Sequence, residues 1–242
     1  MKDILDVHTH TLASGHAYNT IKEMAMEASD RGIELLGITE HAPTMPGTCH
    51  EFYFQNLHVV PREMYGVQLL LGSELNILDH KGTLDLPNQV LKKLDICIAS
   101  IHPPCYQKGT IEENTNAIVG AMQNPYVNII GHPDDGRFEL DYETVVKKAK
   151  EFGVILELNN SSLAPGSFRP NTRENDLTML LYCKQYEVPV IMSSDAHTAY
   201  DIGNHEYVRE IVKEAMFPED LVINHSKEVL LQMIKKRRNS IQ

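Results

Sequence analysis

Residues 3–11 read DILDVHTHT, and the fold is decided on this stretch. In an extended segment His8 and His10 lie two residues apart and share a side, while Leu5 and Val7 face the other way. Two imidazoles on one strand face form half a metal site. In isolation such an HxH is more often a pair of satisfied polar residues at a strand end. Here the feature repeats, because nearly every later strand also ends in a residue able to bind metal.

After the first strand a polar loop at 12–19 leads to a helix with apolar positions Ile21, Met24, Ala25 and Ala28, ending near Gly32. A strand at 33–38 closes with Thr39, Glu40 and His41. A loop rich in Pro, Gly and Thr follows, long for a compact barrel, and then a helical stretch near 56–65. Residues 67–71 form a nearly unbroken apolar run, as expected of a parallel strand covered on both faces. Further strands are predicted at 95–101, 127–130, 154–158 and 188–192, with helices near 87–94, 111–122, 142–152, 174–186, 205–215 and 227–238. A short extended piece is expected near 221–223. Seven strands alternating with helices imply a parallel sheet with right-handed crossovers. No Gly-rich turn follows the first strand, and polar residues end almost every strand, so a closed α/β barrel is expected rather than an open doubly wound sheet.

The 242 residues, 42% of them hydrophobic, suffice for one large core, and one domain over 1–242 is expected. A net charge of −11 argues against a general binder of nucleic acid or membrane surfaces. Cys49, Cys97, Cys105 and Cys183 are scattered, form no CxxC pair and read as free thiols of a reducing compartment. The first strand begins two residues after Met1, leaving no room for a signal peptide, and no apolar run is long enough to span a bilayer. A cytoplasmic location is therefore expected.

Placed on this scheme, the candidate ligands gather at one rim. His8 and His10 close the first strand, His16 lies in the loop behind it, and His41 closes the second. Glu74 closes the third, His102 the fourth, His132 the fifth, and Asp195 with His197 the seventh. In a barrel all these points share the C-terminal mouth, where such folds place their chemistry. Five other histidines of the twelve, His50, His58, His80, His205 and His225, fall away from strand ends and read as surface or packing residues. Imidazoles with a few carboxylates suit Zn, Mn or Fe better than Mg or Ca. Glu74, with two oxygens, can bridge two cations.

These residues carry a resemblance to the PHP (polymerase and histidinol phosphatase) domain family, most closely its YcdX-like phosphatase branch. The carriers are DVHTHT, GITEHAP at His41, GSELNI at Glu74, SIHP at His102, GHPD at His132, ELNNSS after the sixth strand and SSDAHT at Asp195, so the resemblance spans essentially the whole chain. It implies a distorted (β/α)7 TIM-like barrel with three divalent ions, usually zinc, with manganese or iron as the other candidates. One ion would be held by His8, His10, Glu74 and Asp195, a second by Glu74, His102 and His132, and a third by His16, His41 and His197.

The reaction expected is hydrolysis of a phosphate monoester of a small molecule by a hydroxide activated between metals. Asp195, His10 and Glu74 are the candidate catalytic residues, with Asp195 managing protons. Arg137, Arg169 and Arg173 follow the loops behind the fifth and sixth strands and are candidates to grip phosphate. The basic run at 235–238 reads as the cationic end of a helix. The expected partner is a small phosphorylated substrate, with no membrane or nucleic acid; a homo-oligomer is compatible with the sequence. Competing readings are a histidinol-phosphate phosphatase, a nuclease, a metal amidohydrolase and a non-catalytic, metal-stabilised interaction module.

Overall fold

The computed structural model describes residues 2–239. Met1, on which the signal-peptide argument turns, and residues 240–242 lie outside them. Seven parallel strands form a nearly closed barrel in chain order: β1 (Leu5–Asp6), β2 (Leu35–His41), β4 (Val67–Asn76), β5 (Ile96–Ser100), β6 (Ile129–Ile130), β7 (Ile155–Asn159) and β8 (Val190–Ser193). The long strands β2 and β4 run in register from Leu35↔Gln68 to His41↔Glu74, which sets those two candidate ligands side by side. Helices α1 (Ile21–Asp30), α4 (Ile111–Gln123), α5 (Tyr142–Phe152), α7 (Thr172–Tyr186) and α8 (Glu206–Glu214) supply the outer layer, with the single-turn helices α3 (Asn88–Leu91) and α6 (Asn160–Leu163) in the connections after β4 and β7. Thr20 and Thr110 open α1 and α4 with reciprocal side-chain and backbone hydrogen bonds to Glu23 and Glu113, satisfying amide groups that a helix start leaves without partners.

Two apolar layers result. One lies between strands and helices and includes Met24, Leu36, Leu71, Val145, Leu156 and Leu180. The other fills the barrel with Leu5, Leu35, Leu70, Ile98, Ile129, Ile155 and Ile191, and is stoppered by Leu230 and Ile234 of α9 (Lys227–Asn239). The basic run ending that helix is more than a solvated face. Arg237 is buried and donates to the carbonyls of Val127, Met122, Asn124 and Phe152, tying α9 to the ends of α4 and α5. Burial pushes its pKa down to about 10.

Three local expectations are corrected. The helix expected near 56–65 is instead α2 (Glu51–Asn56) with a 3-10 turn at Leu57–Val59, and Glu63–Met64 forms a short strand, β3, antiparallel to β4. Tyr65 and Gly66, with φ of 54° and 78°, make the turn between them. Both central residues at positive φ mark the turn type that joins antiparallel strands, and Tyr is not the residue that usually announces it. The first strand is regular only over Leu5–Asp6. Beyond it strict alternation lapses, so Val7 packs in the barrel interior while His8 and His10 also reach its mouth.

The third correction concerns residues 221–223, where only Val222 is extended, between a 3-10 turn that ends at Leu221 and another that begins at Ile223. Val222 nevertheless bridges Val190, and Asn224 fills the seam between β8 and β1. Its carboxamide accepts from Met192 N at 2.8 Å and donates to Met192 O and Leu5 O at 2.9 and 3.1 Å. At the opposite end the ring closes through Thr9, bridged to Ala196, with His10 N donating to Ala196 O at 2.9 Å. Among the described residues no helix is long and apolar enough to cross a membrane.

Candidate metal centre

The parallel ring delivers His8, His10, His41, Glu74, His102, His132 and Asp195 to one mouth, all of them buried. Glu74 lies inside β4 rather than at its end, and its carboxylate is the hub. Oε1 is 3.0 Å from His132 Nε2, 3.1 Å from His102 Nε2 and 3.4 Å from His8 Nε2, while Oε2 is 2.7 Å from His41 Nδ1 and 3.6 Å from His10 Nε2. Asp195 Oδ1 stands 3.3 Å from His10 Nε2 and 3.6 Å from His8 Nε2. His16 and His197 complete the cluster, with His16 Nε2 3.1 Å from His41 Nε2 and the His10 and His197 rings 4.4 Å apart. Three sets of potential ligand atoms fall within 4.8 Å of one another: His8, His10 and Glu74; His41, Glu74 and His102; His10, His41 and His197. All nine expected ligands are thus brought together, although these sets contain only six of them, without His16, His132 and Asp195, and group them differently from the family scheme.

The hydrogen bonds behind the histidines fix which ring nitrogen is free. His8 Nδ1 lies 2.7 Å from Glu157 Oε1, a carboxylate that can only accept. The single proton of Ser14 Oγ goes to Glu40 Oε2 at 2.6 Å, so Ser14 accepts from His10 Nδ1 at 3.0 Å and from His41 N at 3.0 Å. Asn76 donates through Nδ2 to Ala42 O and Asp85, so its Oδ1 accepts from His102 Nδ1 at 2.8 Å. His197 Nδ1 donates to the carbonyl of Asp195 at 2.9 Å. Four imidazoles are therefore held with Nδ1 protonated, and in the neutral ring Nε2 is then a bare lone pair aimed into the cluster. Outer partners of this kind orient metal-binding histidines and raise their basicity.

Among the described residues His8 Nε2 and His10 Nε2 are buried without a hydrogen-bond partner, and so are His41 Nδ1 and Glu74 Oε2, whose 2.7 Å approach lacks hydrogen-bond geometry. Orphaned polar atoms in a protein interior cost free energy unless something binds them. The donor set fits borderline divalent cations, so the residues present suit the ions that the sequence implies. The electrostatics agree. Burial opposes the charge of Glu74 and Asp195, but the surrounding imidazoles outweigh it and hold both carboxyls well below their ordinary range. Burial, reinforced by His41 and His197, lowers the pKa of His10 and His16, and burial also lowers that of His102. Neutral imidazoles and ionised carboxylates are the forms that bind metal. His8 runs the other way: burial is outweighed by Glu157, Glu74 and Asp195, and its pKa is raised.

Two ligands sit in unusual backbone. His132 and Asp195 have φ of 29° and 56°, a region that side-chain-bearing residues adopt at a cost. Asp6 fixes the second, accepting from Ser194 N at 3.1 Å, Ser194 Oγ at 2.5 Å and Gly203 N at 2.7 Å. Glu157 Oε2 fixes the first by accepting from His132 N at 2.7 Å.

Above the cluster opens a pocket of about 640 Å³, bordered by His16, His41, His102, Arg169, Asp195 and His197 on the floor side and by Met45, Pro103, Arg137 and Phe168 around it. Arg169 is nearly buried; it donates to Ser162 Oγ at 2.9 Å, Asn159 Oδ1 at 3.2 Å and Asp195 Oδ2 at 3.3 Å. Arg137 forks onto Asp135 on the pocket wall. Arg173 is elsewhere, exposed and paired with Glu214, and does not border the pocket. Of the five histidines set aside, four are surface or part-buried residues with local partners. His205 is buried against Asp3 and Asp6. Sequence reasoning passed over Glu157, Glu40, Ser14 and Asn76. A carboxylate inside the apolar runs VILELN and GITEH was the available signal for the first two.

Residues 6–233 match the family model described as PHP domain. A relative from Clostridium novyi (strain NT) named "Probable phosphatase" is 48% identical over 237 residues, covering 98% of this chain and 96% of its own. Another of that name, from Thermoanaerobacter sp. (strain X514), is 45% identical over 242 residues, covering 100% and 98%. The structure of histidinol phosphate phosphatase from Lactococcus lactis subsp. lactis Il1403, complexed with zinc, L-histidinol and phosphate, superposes with a TM-score of 0.62 at 18% identity, over 89% of this chain and 95% of that one. That likeness is one of fold: both chains are distorted TIM-type barrels. The family model spans nearly the whole sequence, and the relatives align almost end to end; the chain belongs to the PHP domain family.

Proposed function

We propose that this protein is a metal-dependent phosphatase that hydrolyses a small-molecule phosphate monoester at a trinuclear centre, with zinc the expected metal. The observation that carries the reading is the set of orphaned imidazole and carboxylate atoms converging beneath a pocket that also holds Arg169. The names of the relatives point the same way. His8, His10, Glu74 and Asp195 would hold one ion, Glu74, His102 and His132 a second, and His16, His41 and His197 a third. Bound ions supply Lewis-acid charge for a phosphoryl group and make a water nucleophile available near neutral pH.

The chain's own residues account for the rest. Arg169 is anchored by Ser162 and Asn159 with its guanidinium turned to the pocket, so it can grip phosphoryl oxygens without first losing conformational freedom. Asp195 Oδ2, which accepts from Arg169 and Asn159, would take the proton of the attacking water. Arg137 offers a second cationic contact further out.

Protein purified without added metal and without chelator should carry divalent metal at close to the proposed stoichiometry and release phosphate from an aryl phosphate. Metal content near zero, or undiminished turnover in His10→Ala, refutes the proposal. Histidinol phosphate belongs first in a substrate panel, because the Lactococcus structure holds L-histidinol and phosphate.

A further inference from the structure

Resting on the phosphatase reading, we propose that Phe168 is a stacking platform for the leaving group, and that the substrate is a phosphate monoester whose leaving group carries an aromatic ring. The pocket is divided in character. Its floor is charged, with Asp195, Arg169 and the imidazoles, while Met45, Pro103, Pro104, Ala164 and Phe168 supply apolar surface among the polar Asn160, Ser161, Asp201 and Asn204. At about 640 Å³ it falls within the range that encloses whole organic ligands, far more room than a phosphoryl group fills. The wall must therefore meet the organic half of the ester.

Phe168 is 73% exposed and belongs to neither apolar layer of the fold. Single exposed hydrophobic residues are ordinary on protein surfaces. What sets this one apart is its mounting. The Arg137 guanidinium carbon lies 4.7 Å from the ring centroid, within the range of a cation over an aromatic face. Arg137 is itself locked by its fork to the buried Asp135, at 2.9 and 3.1 Å from Nε and 2.5 Å from Nη2. The next residue, Arg169, is fixed in the floor by Ser162, Asn159 and Asp195. The Arg169 guanidinium carbon also lies 5.6 Å from the ring centroid, so two anchored arginines set the position of a ring that is otherwise open and borders the pocket. An aromatic surface held rigid before binding loses little entropy when a second ring settles on it. Aliphatic leaving groups gain less, because they cannot stack.

The test uses the full-length, metal-loaded protein. Inhibition constants for benzylphosphonate and ethylphosphonate, which lack a scissile ester, measure ring recognition apart from leaving-group reactivity. Rates on phenyl phosphate and glycerol 2-phosphate measure turnover alongside. Benzylphosphonate should bind about tenfold more tightly than ethylphosphonate. In Phe168→Ala that ratio should fall to about threefold or less, and in Phe168→Trp it should return. A ratio near one in the wild type, or the wild-type ratio persisting in Phe168→Ala, overturns the platform. If the loaded wild type hydrolyses neither ester, the phosphatase reading itself has failed and takes the platform with it.

Discussion

Raising the pH from 7 to 10 should cost this protein stability through one residue, His205. The imidazole is buried, with Nδ1 2.8 Å from Asp3 Oδ2 and Nε2 3.8 Å from Asp6 Oδ1. Arg209 shares Asp3 at 2.7 Å. Burial disfavours a charged ring, but the hydrogen bond to Asp3 and the charges of the two carboxylates outweigh burial and push its pKa from 6.5 up to about 9. A folded pKa above the unfolded one means that the native state holds the proton more tightly. The contribution is therefore complete below about pH 6.5 and is lost as the pH climbs through about 9. At ~1.4 kcal/mol per pH unit the gap between the two pKa values corresponds to ~3 kcal/mol. Urea unfolding of wild type and His205→Gln, each from pH 6 to pH 10, isolates the effect, since glutamine has no such proton to release. The wild type's advantage over the variant should shrink by about 2–3 kcal/mol across that interval. Parallel pH slopes for the two proteins would show that His205 is neutral in the native state and refute the reasoning.

Glu157→Gln should weaken metal binding by about 10- to 100-fold, because His8 loses its carboxylate partner; chelator competition reads it, and wild-type affinity would count against the outer-partner argument. Asn224→Ala should destabilise the fold by about 3 kcal/mol, measured by denaturant unfolding, because it strips the buried Met192 amide and Leu5 carbonyl of their partner. Arg169→Lys should lower kcat/KM on a phosphate ester by about 100-fold, since an ammonium cannot reproduce the planar fork; equal kcat/KM values would remove Arg169 from phosphate binding.

The ring and its metal-side residues were legible because of a topological rule. In a parallel barrel every strand delivers its last residues to the same mouth, so the order of polar residues along the chain is enough to converge His8, Glu74, His132 and Asp195. What stayed hidden depends on register and on side-chain direction. Glu157 stands 149 residues from His8, and only the packed barrel sets them 2.7 Å apart. Of the three arginines following strand-end loops, Arg169 and Arg137 turn to the pocket and Arg173 pairs with Glu214 at the surface, a distinction that adjacency to a loop cannot make. Met64 to Val67 turned back on itself through Tyr-Gly instead of the Asn-Gly that ordinarily signals such a reversal. His205, far from any strand end, looked ordinary because its two carboxylate partners come from the opposite end of the sequence.

The seam held by Asn224 sets an order of events during synthesis. Leu5 emerges from the ribosome early but meets the carboxamide that secures it only after 219 further residues have been made. Until then the Leu5 end of the first strand lacks its partner on that side, and only the Thr9 bridge to Ala196 can close the ring. Contacts so distant along the chain slow the last step of folding. A nascent chain halted before residue 224 should therefore present a ring whose Leu5 edge is unpaired, a form open to chaperones or to a neighbouring copy.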